Sequence, residues 1–215
     1  MTSSHVPASL RRTAHVFIIS GPSGGGKTTL IARLLRAVRG VKRSVSVTTR
    51  PKRSEERGGR DYTFVSLETF QRLRRAGRLL EWAKVHGAYY GTPRQWVLSA
   101  LARGQDVLLG IDVQGARQVR RALGRRAVLI FLLPPSMAKL RRRLLGRRTE
   151  TRAAVQRRLV AARREIACAR WYDYAIVNDR LDGTVANARA IVEAFRRRGC
   201  AQGNGREDQD GARRG

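Results

Sequence analysis

The first residues able to do chemistry are Gly21-x-x-x-x-Gly26-Lys27-Thr28, which have the spacing of a phosphate-binding loop. Glycines there let successive backbone N–H groups turn inward onto phosphate oxygens. A helix opening at Lys27 adds the positive end of its dipole. Lys27 brings a mobile point charge to the outer phosphates, and the Thr28 hydroxyl can sit on a magnesium ion. A glycine-rich turn that only imitates the pattern is the competing reading. The flanks argue against it, because an apolar β-branched run, His15 to Ser20, precedes the loop and an amphipathic stripe, Leu30, Ile31, Leu34, Leu35 and Val38, follows it. The residue types agree as well. Five of the 45 basic residues are Lys, so a Lys at the position where this chemistry asks for one is informative. The loop implies a nucleoside triphosphate but leaves the acceptor open, since ATPases, GTPases and small-molecule kinases share it.

The rest of the chain carries a resemblance. The segments Ser20-Gly-Pro-Ser-Gly-Gly-Gly-Lys-Thr28, Ser44-Val-Ser-Val-Thr-Thr-Arg-Pro-Lys-Arg53, Gly59-Arg-Asp-Tyr-Thr-Phe64, Leu80-Glu-Trp-Ala83, Tyr89-Tyr-Gly-Thr92, Ile111-Asp-Val-Gln-Gly115 and Ile176-Val-Asn-Asp179 resemble those of guanylate kinase. They run from about Val16 to Phe195 in the family's order and spacing. The resemblance implies transfer of a phosphoryl group from MgATP to GMP, and to dGMP, giving GDP and ADP. ATP would lie on Gly21, Pro22, Ser23, Gly24, Gly25, Gly26, Lys27, Thr28 and Thr29. GMP would be held by Ser46, Arg50, Arg53, Tyr62, Glu81, Tyr90, Thr92 and Asp112. The chemistry of these side chains agrees. Arg50 and Arg53 can clamp a monophosphate dianion with charge-assisted bonds. Tyr62 and Tyr90 each offer a phenolic donor to the same group. A carboxylate at Glu81 can accept from the guanine N1–H and its 2-amino group, a donor pair that adenine lacks. Ser46 and Thr92 can bond O6 and neighbouring ring atoms. Each residue alone also has a plainer reading: an arginine in an arginine-rich chain is usually solvated, and a strand tyrosine usually packs.

The donor side is less fully marked. Asp112 ends an apolar strand, where an open α/β sheet places its ligands. The resemblance puts it near Mg²⁺, together with Thr28, and an aspartate there can equally cap the helix that follows. Relatives often carry an acidic residue two positions earlier, where this chain has Gly110, so one carboxylate for water-mediated metal contacts is missing. Arg147 and Arg158 match lid arginines that act with Lys27 on the transferred phosphoryl, and arginine suits that developing charge. Arg148 stands where many relatives have glycine. Asn178 matches a contact to the adenine of ATP, and asparagine is also a routine turn residue. A general base is not needed, because a GMP phosphate is already anionic.

These residues must be positioned by an alternation of strands and helices, which implies a mostly parallel sheet flanked by helices, a P-loop NTPase core of the α/β class. Strands are expected at 15–20, 44–49, 61–65, 79–85, 106–111, 127–133 and 174–177. Helices are expected at 27–39, 67–76, 95–103, 114–123, 138–145, around 155–166 and around 185–195. The chain divides into a flexible leader (1–14), a kinase core (15–45 and 96–200) with a helical lid near 145–160, a small mixed β/α GMP-binding insertion (46–95) and a disordered tail (201–215).

Composition bounds the function. The chain has 215 residues, 42% of them hydrophobic, enough for one core. The longest apolar run, Ala127 to Leu133, is far short of the ~20 residues a membrane span needs. Two cysteines, Cys168 and Cys200, make neither a metal cluster nor a disulfide framework. These features point to a cytoplasmic enzyme without a membrane partner. The net charge of +29 invites a nucleic-acid reading. The excess is spread along the chain rather than gathered in an arm, so no specific nucleic acid is expected. A non-catalytic guanylate-kinase-like binding module and a related sugar-phosphate kinase are the other readings. An intact Lys27-Thr28 weighs against the first and a guanine-reading Glu81 against the second.

Overall fold

Val16–Ser20 forms β1, and all of it is buried because both faces of its sheet are covered. This computed structural model describes residues 13–54, 56–85, 87–146 and 152–201. Most of the expected leader and tail, and the expected lid residues Arg147 and Arg148, lie outside the described residues. Ala14, placed in the leader by sequence, is instead part of the core at 1% exposure.

β1 is the centre of a five-stranded sheet ordered β2 (Val41–Arg43), β7 (Asp106–Gly110), β1, β8 (Ala127–Leu133) and β9 (Tyr174–Val177). Every pairing is parallel. Strand periodicity sorts the core into two layers. Val16, Ile18, Val107, Leu109, Leu129 and Phe131 face α3 (Arg94–Ala102) and α4 (Val113–Leu123) through Val97, Leu101, Ala116 and Val119. Phe17, Ile19, Leu108, Val128, Ile130 and Leu132 face α1 (Lys27–Ala37) and α7 (Leu181–Ala201) through Leu30, Leu34, Ala188 and Val192. α7 is pinned to the sheet by an ion pair, Arg196 Nε to the fully buried Asp106 at 2.8 Å. α5 (Met137–Leu145) and α6 (Arg152–Ala167) form a separate hairpin with its own small core of Leu140, Leu144, Val155 and Ala162.

A second sheet is ordered β4 (Tyr62–Phe64), β3 (Ser46–Thr48), β6 (Ala88–Pro93) and β5 (Leu79–Val85). β3 pairs parallel to β4 and antiparallel to β6, which also pairs antiparallel to β5. α2 (Leu67–Arg75) closes its apolar face with Phe70 against Val47 and Leu79. Two differences from the sequence expectation arise here. β2 was not anticipated: the strand expected at 44–49 is β3 alone, and the chain runs through Val41–Arg43 in the parallel sheet before it enters the small sheet at Ser46. β6 was not anticipated: Gly91 and Pro93 break its apolar pattern, and pairing to β5 and β3 supplies what propensity does not. The two sheets are joined where Gln118 of α4 pairs with the backbone of Trp82, accepting from its N–H at 3.2 Å and donating to its carbonyl at 2.7 Å.

Among the described residues, no helix is long and apolar enough to cross a membrane.

Candidate active site

The chain leaves β1 at Ser20 and must reverse into α1. The turn needs backbone that only glycine adopts readily: Gly24 and Gly26 have φ of +82° and +98°. At Gly26 space is also closed, since a Cβ there would lie 2.4 Å from Asn178 Nδ2. Asn178, at the end of β9, is buried and braces the loop. Its Nδ2 donates to the Gly25 carbonyl at 2.7 Å, and its Oδ1 accepts from Thr184 at 3.1 Å. Lys27 Nζ donates to the carbonyls of Gly21 and, at 3.1 Å, Pro22. Thr28 and Thr29 are exposed at the start of α1. Thr29, Gly24, Gly26 and Asn178 line a shallow cavity on the outer side of the loop with Arg143 and Asp179.

The inner side of the loop opens on a larger cavity of about 360 Å³ between the two sheets. Its core wall is Gly21, Ser23, Lys27, Gly110, Ile111 and Asp112. The small sheet contributes Ser46, Tyr62, Glu81 and Tyr90, and the loop after β3 contributes Arg50 and Arg53. α6 closes one side with Arg158 and Glu165. Arg158 Nη1 donates to Ser23 Oγ at 2.8 Å, so this helix touches the phosphate loop directly.

Three anionic or cationic clusters define the cavity's electrostatics. At one end Arg50 donates Nε to the Tyr90 hydroxyl at 3.2 Å and lies over the Tyr62 ring at 5.5 Å. The Tyr62 and Tyr90 rings pack edge to face at 5.9 Å. Burial opposes the Arg50 charge, but the bonds to Glu56 and Tyr90 outweigh it and raise its pKa. Burial also pushes the Tyr62 phenol up. The Tyr62 phenol therefore stays a protonated donor beside a fixed cation.

Glu81 is 3% exposed. Burial pushes its carboxyl up to about 7; Asp112 adds to the rise and the Thr92 bonds oppose it. Thr92 Oγ1 donates to Glu81 Oε1 at 2.6 Å, and Thr92 is fully buried behind it. Thr92 thus fixes the carboxylate that is expected to read the base. The other oxygen is pressed against α4: a Cβ on Gly115 would lie 2.3 Å from Glu81 Oε2. Gly115 has a role that its position in the sequence does not announce.

Asp112 caps α4, accepting from Gly115 N at 2.8 Å through Oδ1. The capping reading of this residue holds, and Asp112 also lines the cavity. A hydroxyl at Thr28 and one carboxylate at Asp112 are hard oxygen donors of the kind that hold Mg²⁺ together with substrate phosphates. At Gly110 the space beside the backbone is already filled, because a Cβ would lie 2.4 Å from Ile31 Cδ1. Glu165 is a carboxylate the sequence reading passed over. Burial pushes its carboxyl up, with Lys27 opposing. In a helix dense with arginine it reads as surface, and only the packing of α6 turns it toward Lys27. Arg147 lies outside the described residues.

The family model described as guanylate kinase matches residues 13–195. A guanylate kinase of Rhizobium meliloti is 47% identical over 192 residues, covering 89% of this chain and 88% of the relative. One from Dechloromonas aromatica is 46% identical over 180 residues, covering 84% and 89%. The chain belongs to the guanylate kinase family. The crystal structure of guanylate kinase from Anaplasma phagocytophilum agrees in fold, with a TM-score of 0.75 at 34% identity over 90% of this chain and 92% of that one. As a guanylate kinase the protein is a nucleoside monophosphate kinase that moves a phosphoryl group from ATP to GMP.

Proposed function

We propose that MgATP lies along the phosphate loop while GMP enters from the small sheet, and that dGMP is accepted through the same base and phosphate contacts. The observation that carries this reading is Glu81: a buried carboxylate, fixed by Thr92 and Gly115, on the wall of a cavity whose other walls hold Lys27 and the Arg50–Tyr90 pair. Its two oxygens accept from guanine N1–H and the 2-amino group, and Ser46 takes a neighbouring ring position. Arg50, Arg53, Tyr62 and Tyr90 bind the acceptor phosphate and point its free oxygen toward the phosphate loop. Lys27 and the loop amides of Gly21 to Gly26 hold the donor phosphates. Arg158 follows them from α6, with Arg147 assigned to the same task. Thr28 and Asp112 would hold Mg²⁺, which neutralises charge on the donor phosphates when bound. Asn178 serves ATP by bracing the loop, alongside its assigned contact to adenine.

The acceptor phosphate attacks the γ-phosphorus, the bond to the ADP oxygen breaks, and no proton has to be removed from the nucleophile. Catalysis is then positioning and charge neutralisation. Residues 46–95 act as the GMP-binding unit and the α5–α6 hairpin as the lid, whose closure would keep water from the γ-phosphoryl. The free thiol of Cys168 favours a reducing, cytoplasmic setting. A coupled assay with MgATP and a panel of monophosphates tests the reading. GMP and dGMP should be phosphorylated, with AMP, UMP and CMP slower in kcat/KM by at least about a hundredfold. Preference for AMP or a pyrimidine nucleotide would contradict it.

A further inference from the structure

The loop between β3 and β4 contains a carboxylate that none of the roles above uses. Glu56 Oε1 accepts from Arg50 Nη2 at 2.6 Å, and Glu56 Oε2 accepts from the backbone N–H of Arg53 at 3.0 Å. One carboxylate therefore ties down both arginines of the acceptor end, one by its side chain and the other by its main chain. The turn is closed from the opposite direction by Glu56 N donating to the Arg53 carbonyl at 3.2 Å. The ion pair is shielded, with side-chain exposures of 18% for Arg50 and 13% for Glu56. Glu56 is not part of the cavity wall, whereas Arg50 and Arg53 are.

A guanidinium has five N–H donors. Arg50 spends three on its surroundings: Nε on the Tyr90 hydroxyl, Nη1 on the Pro51 carbonyl at 2.6 Å and Nη2 on Glu56. The plane of the fork is thereby fixed, and the remaining N–H groups have one orientation to offer. A flexible arginine loses rotamer freedom when it is immobilised on a ligand. Here the immobilisation is built in before any phosphate arrives. Burial acts to raise the Glu56 carboxyl's pKa, but the bonds from Arg50 and the Arg53 N–H outweigh it and lower it, so the anchor stays charged at neutral pH.

We propose that Glu56 is a positioning residue for the acceptor phosphate: it pre-orients the Arg50 fork and the Arg53 backbone, and it acts on the phosphate of GMP and not on the base. This rests on the assignment of Arg50 and Arg53 to the GMP phosphate. The opposite effect is also physically available, since a carboxylate near a dianion repels it. Geometry favours positioning because Glu56 stands outside the cavity and reaches it only through the arginines.

The test compares GMP with guanosine, which has the same base and sugar but no phosphate. Each is titrated by calorimetry into the full-length enzyme and into Glu56→Gln, Glu56→Ala and Glu56→Asp, with steady-state kinetics alongside. Glu56→Gln keeps the shape but can satisfy only one of the two donors. It should weaken GMP about tenfold, and Glu56→Ala somewhat more, while guanosine changes by less than about twofold. KM for GMP should rise with KM for ATP unchanged, and Glu56→Asp should recover part of the loss. An equal loss of guanosine and GMP would make Glu56 merely structural and overturn the proposal. Unchanged GMP binding in Glu56→Ala, or tighter binding from relieved repulsion, would overturn it while leaving Arg50 and Arg53 in place. A wild-type enzyme that bound guanosine as tightly as GMP would remove the phosphate assignment itself, and the proposal with it.

Discussion

Glu81 shows how much a single residue's surroundings decide. Its carboxyl, pushed up to about 7 mainly by burial, is protonated in much of the population at pH 6 and ionised at pH 8. Guanine offers two donors and therefore binds the ionised form, so binding expels a proton below pH about 7. Guanosine affinity should drop about tenfold from pH 8 to pH 6, as expected when one group must ionise to bind. Guanosine is the right probe because the phosphate of GMP titrates in the same range. A pH-independent guanosine affinity would show that base binding is not coupled to a Glu81 carboxyl titrating between pH 6 and 8. The linkage to folding has a definite sign. A carboxyl whose folded pKa is raised above the usual 4.5 binds more protons folded than unfolded between those two values. Its burial therefore costs stability that grows as pH rises from about 4.5 to 7 and is constant above. Glu81, Arg50, Arg53, Tyr62 and Tyr90 were marked out in the sequence by their joint spacing in the resemblance to guanylate kinase, not by any one of them alone, and the structure brings them to one cavity. Glu56 and Glu165 were not marked out, because an acid in an arginine-rich stretch reads as a solvated partner until packing gives it a wall to face.

Elements decide where those residues point. The phosphate loop was legible as strand, glycine turn and helix, and β1 and α1 formed where the pattern put them. β2 and β6 were not, since β2 is three residues long and β6 contains Gly91 and Pro93. β2 pairs with the distant β7, and β6 pairs with the distant β3 as well as with its neighbour β5; local patterning cannot report the distant pairings. α4 supplies a prediction at this scale. Glycine inside a helix is usually a weakness, worth up to about 1 kcal/mol against alanine. Gly115 is nevertheless required by the approach of Glu81 Oε2. Gly115→Ala should lower the melting temperature despite alanine's better helix propensity, and lower kcat/KM for GMP by about ten- to a hundredfold, as the carboxylate is displaced from its bond to Thr92. Melting and steady-state assays on the one variant check both halves. Unaltered GMP kinetics would show that the carboxylate has room to move without consequence.

Over the whole molecule, the site exists because two sheets share a border. The parallel sheet delivers Gly21, Lys27 and Asp112 at the carboxyl ends of its central strands, and the small sheet delivers Glu81 and Tyr90 from across the cavity. Gln118 joins the two through the backbone of Trp82, one residue from Glu81. The net charge of +29 contributes little to this picture as a total. Locally it supplies Lys27, Arg50, Arg53 and Arg158 to one cavity. Many of the remaining positive charges lie on exposed helix faces, such as Arg33, Arg36, Arg117, Arg157 and Arg163. Selectivity is the property that requires all of this to be assembled, and substituting Glu81 tests it most directly. In Glu81→Gln an amide group faces the donors of guanine while the shape of the wall is kept. Measured with saturating MgATP at pH 8, kcat/KM for GMP should fall by about 10²- to 10⁴-fold, with AMP unchanged or improved and KM for ATP unaffected. A variant that still prefers GMP over AMP as strongly as the parent would contradict the account.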